Sequence, residues 1–119
     1  MDFNTFLHKY SLSNFKLTNQ MIEKNNYENC KVYVETDYDG LTGLCIYHNN
    51  KECNSIVIDV LEVRQDCRKQ KIGSKLINKI KKFNMPIGLC SLESATGFYE
   101  KHGFYQTDPD VLEFDYDPA

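Results

Sequence analysis

The sequence has no long apolar run, and none approaches the roughly 20 residues that a membrane-spanning helix needs. It also lacks a cationic start followed by an apolar segment, so we expect no signal peptide. Repeats, low-complexity blocks and linker-like stretches are missing, which predicts one domain over residues 1–119. The five cysteines are scattered and odd in number, which favours reduced thiols and a cytoplasmic location.

Acidic side chains are nearly missing from one segment, residues 64–82, which carries eight basic residues and a single acid, Asp66. The whole chain nevertheless has a net charge of −3. This separation predicts an anionic ligand near the basic segment and a cationic one elsewhere. A nucleic-acid-binding stripe is the alternative. The segment lacks interleaved aromatic side chains, however, so we expect no nucleic-acid partner, and no membrane partner either.

Periodicity predicts an α/β fold in which helices flank a central, mostly antiparallel sheet. A first helix has apolar residues at helical spacing, namely Phe3, Phe6, Leu7 and Tyr10. Ser13 or Asn14 would cap a second helix that ends near residue 26, with Phe15, Met21 and Ile22 as core candidates, whereas residues 15–18 fit a short strand equally well.

Alternating apolar residues then predict a β-hairpin over residues 30–48 and a central strand over residues 55–63. The remaining elements are expected in this order: a helix over residues 72–83, a strand over 87–92, a helix over 93–102 closed by Gly103 in a left-handed conformation, and two strands around the turn at 108–110.

The junction between the central strand and the next helix carries the main functional signal. Arg68, Lys69 and Lys71 precede a helix start, where free backbone N–H groups and the helix dipole favour anions. Gly73 removes a side chain where such a ligand would come close. A helix whose lysines merely keep it soluble is the alternative interpretation.

Three consecutive features give this junction a wider context: a strand ending in VLEV, the loop RKQKIGS, and the later segment SATGFYEKHGF. Together, residues 55–105 resemble the GNAT N-acetyltransferase superfamily in motif, spacing and element order. The matching positions are Val63 at the strand end, Arg68, Gly73 and Ser74 in the loop, and Ala95, Phe98, Tyr99, Gly103 and Phe104 in the helix segment.

The resemblance implies that acetyl-CoA is the cosubstrate and that a primary amine attacks it directly. The acceptor would be a polyamine, an aminoglycoside-like amine, or a peptide or protein amine, and a homodimer stays open. The central strand would be splayed from its neighbour, exposing backbone donors at its end. The residues implied to bind the cofactor are Leu61, Glu62, Val63, Arg68, Lys69, Gln70, Lys71, Ile72, Gly73, Ser74, Leu92 and Tyr99.

The chain departs from the family pattern in three respects. Lys71 occupies the position of the first loop glycine, so its side chain would either crowd the pyrophosphate or bind it. Leu92 replaces an asparagine that would hydrogen-bond the pantetheine arm. The region before the central strand is short, so we expect a reduced or absent first strand. A CoA-binding module without turnover is therefore the alternative function.

Tyr99 matches the family's general acid, since a phenol with a pKa near ~10 stays protonated at neutral pH. Its alternative role is packing between the helix and the sheet. Asp59 is the candidate general base, or else a ligand for the substrate ammonium or a relay water. Glu62 is the alternative base, and strict alternation would place it on the opposite face from Asp59.

A metal site is the last possibility that the residue types suggest. Cys45, His48 and Cys53 fall on or near the second strand of the hairpin, but a full set of four ligands at finger-like spacing is missing. We therefore expect no metal.

Overall fold

A computed structural model describes residues 1–118. The helices are α1 (Phe3–Lys9), α2 (Lys16–Lys24), α3 (Ile72–Lys81) and α4 (Thr96–Lys101). The strands are β1 (Lys31–Asp37), β2 (Gly40–Asn50), β3 (Ser55–Val63), β4 (Ile87–Cys90), β5 (Tyr105–Gln106) and β6 (Glu113–Tyr116). Short 3₁₀ turns at Gln65–Cys67 and Glu93–Ala95 precede α3 and α4.

The strands form one six-stranded sheet in the order β1-β2-β3-β4-β6-β5. Within residues 1–118, only β3 and β4 pair in parallel, and α3 makes the crossover between them. The other pairings are antiparallel. The predicted fold class, an α/β fold around a mostly antiparallel sheet, is confirmed.

Each face of the sheet is covered by its own apolar layer. On one face, the aromatic side chains of Phe3, Phe6 and Phe15 from the α1–α2 region pack on β1, β2 and β3. On the other face, α3 buries Leu76, Ile77 and Ile80 against the sheet, as its apolar spacing predicts. Of its lysines, Lys75 is exposed, whereas Lys79 and Lys81 are half-buried and donate to backbone carbonyls. The two layers leave β3 buried from both sides, as a central strand should be.

The N-terminal helices form as expected but with different ends. Asp2 caps α1 by accepting a hydrogen bond from the Thr5 N–H at 2.8 Å, and Leu7, at the edge of the apolar stripe, stays 39% exposed. The N-cap of α2 is Phe15, so the predicted Ser13 or Asn14 cap is wrong, as is the alternative strand over residues 15–18. Before α1, one isolated bridge between Asp2 and Lys31 takes the place of a first strand.

The later elements are shorter than predicted. α3 ends at Lys81, and Asn84 then adopts a left-handed backbone (φ 54°) that turns the chain toward β4. The helix expected over residues 93–102 is divided into a 3₁₀ turn and α4, and Gly103 closes it with φ 86°, as predicted. Within residues 1–118, no helix has the length and apolar character that crossing a membrane requires.

Candidate active site

The opening between β3 and β4 is the main feature of the site. The parallel pairing ends at Ile58 and Leu89, while β3 stays paired with β2 as far as Val63. Residues 59–63 of β3 are therefore splayed away from β4, as the family resemblance implied. Such an opening leaves the backbone groups on one edge of β3 without a strand partner.

A β-bulge lies where the splay begins. Ile46 pairs with Val60 and Tyr47 pairs with Ile58, so Asp59 is an extra residue on β3. Beyond the bulge, Arg64 donates its N–H to a β2 carbonyl at 2.8 Å. Since successive residues of a strand direct their N–H groups to opposite sides, the N–H groups of Leu61 and Val63 point into the opening.

A cleft of about 760 Å³ occupies this opening. It extends from the end of β3 to the start of α3 on one side and to α4 on the other. The predicted site residues that line it are Leu61, Glu62, Val63, Arg68, Lys69, Lys71, Gly73, Ser74, Leu92 and Tyr99. The structure thus brings together ten of the residues that the sequence analysis proposed. Gln70, Ile72 and Asp59 are outside the cleft, and Ile72 is buried in the core under α3.

The basic loop ends at Lys71, whose backbone conformation explains why the family pattern has a glycine at this position. Lys71 is the N-cap of α3 and has φ 60° and ψ 26°, the left-handed region in which glycine is favoured. The side chain of Lys71 is exposed on the cleft and caps no backbone group. The first N–H groups of α3 therefore lie beside three cationic side chains, a combination suited to an anionic group.

A side chain at Gly73 would crowd α4. A Cβ added there would lie 3.1 Å from the ring of Phe98 and 3.7 Å from a Val63 methyl. The small residue lets the start of α3, the end of β3 and α4 approach one another. The sequence analysis expected Gly73 to let a ligand come close, and the structure shows that Gly73 also sets the spacing of the cleft walls.

Tyr99 lies at the inner part of the cleft with its ring buried. Phe98, Phe104 and Phe114 surround the ring, with centroids 5.2–6.4 Å away. Burial raises the pKa of the Tyr99 hydroxyl above its ordinary value, and the neighbouring Cys45 thiol adds to the effect. Both expected roles of Tyr99, packing and presenting a protonated hydroxyl to the cleft, fit this position.

Glu62 is a helix cap as well as a cleft residue. Its Oε1 accepts hydrogen bonds from the Thr18 N–H at 2.7 Å and the Thr18 hydroxyl at 2.6 Å, and its Oε2 accepts one from the Leu17 N–H at 3.2 Å. These are the N–H groups of the first turn of α2, which no side chain of the helix itself caps. The carboxylate fixes the start of α2 at the cleft, where Leu17 forms part of the lining.

Asp59 lies on the same face of β3 as Glu62, so the expectation of opposite faces is wrong. The bulge at Asp59 interrupts the alternation of side chains and turns its carboxylate toward the α1–α2 layer. There Oδ2 contacts His48 Nδ1 at 2.6 Å and accepts the Cys30 thiol at 3.6 Å. Within residues 1–118, Oδ1 accepts no hydrogen bond.

The three residues weighed for a metal are not brought together. Cys45 is fully buried in the layer under α3, and Cys53 is exposed on the turn after β2. His48 instead meets Asp59 and Cys30, which is buried on the other face of the sheet. Burial raises the pKa of the Cys30 thiol to about 12, and the nearby Asp59 carboxylate contributes to the rise.

Several cleft residues were missed by the sequence analysis. His102 is the most informative, since its Nε2 and the Ser74 hydroxyl are hydrogen-bonded at 2.9 Å across the cleft wall. Burial lowers the pKa of His102, and the charges of Lys81 and Lys101 lower it further. The sequence signal that could have placed His102 at the cleft is its position one helical turn after Phe98. Leu17, by contrast, has no local signal that could have placed it here.

Comparison with known proteins identifies the family. The model of the acetyltransferase (GNAT) domain matches residues 28–106 of the chain. This chain therefore belongs to the GNAT acetyltransferase family. No significant match is found among curated protein sequences.

Solved structures of acetyltransferases share the fold. A protein of Exiguobacterium sp. 255-15 classed as an acetyltransferase has a TM-score of 0.72 at 19% identity, covering 92% of this chain and 87% of that one. The N-acetyltransferase YlbP of Bacillus subtilis, in complex with coenzyme A, has a TM-score of 0.63 at 18% identity, covering 99% and 92%.

A third structure, from Bacillus anthracis strain Ames, is classed as a streptothricin acetyltransferase and contains acetyl coenzyme A. It is 28% identical, with a TM-score of 0.57 over 72% of this chain. This chain spans 51% of the length of that protein.

Proposed function

We propose that the chain is an N-acetyltransferase that transfers the acetyl group of acetyl-CoA to a primary amine by direct attack. The observation that carries the proposal is the splayed opening between β3 and β4. It combines free backbone N–H groups, a cationic helix start and a buried tyrosine in one cleft. Two of the related structures contain coenzyme A or acetyl coenzyme A, which supports the same cosubstrate here.

The pyrophosphate of CoA would bind at the start of α3. Arg68, Lys69 and Lys71 line this end of the cleft and supply positive charge, and the first N–H groups of α3 supply hydrogen-bond donors. Lys71 meets the backbone requirement of this position without glycine and adds an ammonium group. We therefore expect charge to contribute to CoA affinity in this chain.

The thioester carbonyl would be polarised by the N–H groups of Leu61 and Val63. A carbonyl oxygen gains negative charge as the amine attacks, and donors fixed by the sheet stabilise that charge without reorganising. Tyr99, with a hydroxyl that stays protonated, would donate its proton to the departing thiolate. The C–S bond breaks as the C–N bond forms, and the amine loses one proton.

The group that takes up the amine proton stays a prediction. Glu62 uses both of its oxygens as acceptors for α2, which favours a structural role. Asp59 lies outside the cleft but keeps Oδ1 free within the described residues. If Asp59→Asn kept the full rate of acetyl transfer, the assignment to Asp59 would fail.

The proposed acceptor is a cationic primary amine, because the chain outside the basic segment is acidic. Acids on the hairpin turn, residues 37–40, and on the turn at 108–110 could also attract a cation, but they do not add to this argument. Asp37 accepts from the Asp39 N–H at 2.8 Å and Asp108 from the Asp110 N–H at 2.9 Å, so Asp37 and Asp108 hold their turns.

A thiol-release assay with acetyl-CoA and a panel of polyamines, aminoglycosides, amino acids and peptides tests the proposal. We expect release above hydrolysis with at least one amine, and loss of CoA binding when Arg68 and Lys71 are both replaced by alanine. Tight CoA binding without release for any acceptor would contradict catalysis. It would favour the binding module, a function that Leu92, 55% exposed on the cleft where an asparagine is expected, also favours.

A further inference from the structure

Cys30, His48 and Asp59 form a cluster that the proposed acetyl transfer leaves mostly unused. Their thiol sulfur, ring nitrogen and carboxylate oxygen all lie within 4.8 Å of one another. We propose that this cluster is a binding site for a divalent transition metal of the zinc type, with Cys30 Sγ, His48 Nδ1 and Asp59 Oδ2 as its ligands.

The ligand types define the class of metal. A thiolate, an imidazole and a carboxylate are the ligands that Zn²⁺ takes in proteins, and Co²⁺ substitutes for it as a borderline ion of similar preference. Hard cations such as Mg²⁺ and Ca²⁺ prefer oxygen ligands alone. One thiolate and one carboxylate also balance the charge of a divalent ion.

The two distances from Asp59 Oδ2 are close to those of a zinc site. In a tetrahedral zinc site with ordinary bond lengths, a sulfur and an oxygen ligand are about 3.6 Å apart and a nitrogen and an oxygen about 3.4 Å. Cys30 Sγ and Asp59 Oδ2 are already 3.6 Å apart. His48 Nδ1 and Oδ2 are 2.6 Å apart, so this pair must open by roughly 0.8 Å.

The backbone holds the three ligands on rigid elements. The Cys30 N–H donates to Tyr27 and its carbonyl accepts from Phe3, at 2.9 and 3.1 Å. His48 is paired within the β2–β3 ladder, and the bulge directs Asp59 to the same face. Two of the ligands lie on strands and Cys30 directly precedes β1, so the site needs less reorganisation than one on loops.

The cluster also has an entrance and room for a fourth ligand. The side chain of Cys30 is buried, but the side chains of His48 and Asp59 are 39% and 18% exposed. Three protein ligands with a solvent-facing position leave water as the fourth ligand. On binding, Cys30 releases its S–H proton to solvent, and the proton between His48 Nδ1 and Asp59 Oδ2 leaves both atoms. His48 then binds through Nδ1 and keeps a ring proton on Nε2.

A metal on Oδ2 would occupy the carboxylate that the sequence assigns to proton transfer. Asp59 therefore cannot bind a metal and take up a proton at the same time: it would bind the metal in one state of the protein and act as the base in the metal-free state. Metal binding is tested without acetyl-CoA or amine, so its outcome does not depend on the acetyl-transfer proposal.

The test titrates the reduced, chelator-treated full-length chain with Co²⁺ and then displaces it with Zn²⁺. We expect one equivalent of Co²⁺ to give a thiolate-to-cobalt charge-transfer band that Zn²⁺ abolishes. Cys30→Ser should lose the band, and His48→Gln should keep it but bind at least tenfold more weakly. The control Cys53→Ser, an exposed thiol outside the cluster, should match the wild type.

The absence of a thiolate band in the wild type, an undiminished band in Cys30→Ser, or wild-type affinity in His48→Gln would each overturn the proposal. Circular dichroism of the metal-free variants checks that they fold. If Cys30→Ser fails to fold, His48→Gln decides, because His48 lies partly in solvent rather than in the core.

Discussion

The capping of α2 by Glu62 gives the sharpest prediction, because the same residue is also a candidate general base. Glu62→Ala removes the acceptor for two backbone N–H groups and one hydroxyl, at 2.6–3.2 Å. Loss of a helix cap costs about 1 kcal/mol. This cost covers the two N–H groups, and the buried Thr18 hydroxyl left without its acceptor adds about 1–3 kcal/mol.

We therefore expect Glu62→Ala to lower the free energy of unfolding by about 2–4 kcal/mol. For a domain of this size, that lowers the Tm by about 8–16 °C. Urea unfolding and thermal denaturation followed by circular dichroism measure the two quantities. Glu52→Ala is the matched control, since Glu52 is exposed on a turn and its side chain makes no hydrogen bond within residues 1–118.

Glu62→Gln separates the two roles. It keeps an acceptor oxygen for α2, so we expect it to recover part of the stability and to keep kcat. A stable Glu62→Gln protein that has lost kcat would instead identify Glu62 as the base. A Glu62→Ala protein within about 0.5 kcal/mol of the wild type, the range of ordinary surface substitutions, would refute the capping argument.

Three further predictions concern the walls of the cleft. Tyr99→Phe should lower kcat by about 10²–10⁴-fold in the thiol-release assay with unchanged CoA binding, and an unchanged kcat would contradict the general-acid assignment. Because burial raises the pKa of Tyr99, the wild type should show no alkaline loss of kcat from this group below pH ~10, and a loss below that pH that Tyr99→Phe removes would contradict the raised pKa. Gly73→Ala should be less stable to urea than the control Gly97→Ala by about 1–3 kcal/mol. The reason is that a Cβ at Gly73 contacts Phe98, whereas a Cβ at Gly97 has no atom within 4 Å. Equal stabilities would show that the Phe98 ring moves aside without cost. The folded-state pKa of His102 is lowered, so as the pH falls the unfolded chain takes up a proton on this residue before the folded chain does. The free energy of unfolding should therefore fall as the pH drops below about 6.5. His102→Gln should show a smaller fall between pH 7.5 and 5, and an equal fall would contradict this account.

The half of the fold that contains the basic loop before α3 was predictable because its signals are local. The apolar spacing of α3, the run of β-branched residues in β3 and the glycine after α4 each describe a single element. The resemblance to the family then supplied the pairing of these elements, which periodicity alone does not. This explains why most of the predicted cofactor residues line one cleft.

The contacts that were not predictable join residues far apart in the sequence. Glu62 caps α2 across 44 and 45 positions, replacing the Ser13 or Asn14 cap that the local sequence offers. Cys30, His48 and Asp59 meet only because β1, which Cys30 directly precedes, lies on the sheet beside β2, and β2 beside β3. Neither a capping pattern nor a metal-ligand spacing can show such a contact, since both are defined over short stretches of chain.

The bulge at Asp59 is the feature on which both parts of the site depend. Ile56 donates its N–H toward β4, to Pro86 at 2.8 Å, so regular alternation would direct the N–H groups of Val60 and Glu62 to that side. The extra residue shifts the alternation, so the N–H groups of Leu61 and Val63 point toward the β4 side instead. The same shift places the Asp59 and Glu62 carboxylates on one face, where one meets His48 and the other caps α2. A single inserted position therefore sets the donors of the cleft, the position of α2 and the cluster at Cys30, and a change in the strand register here would alter all three together.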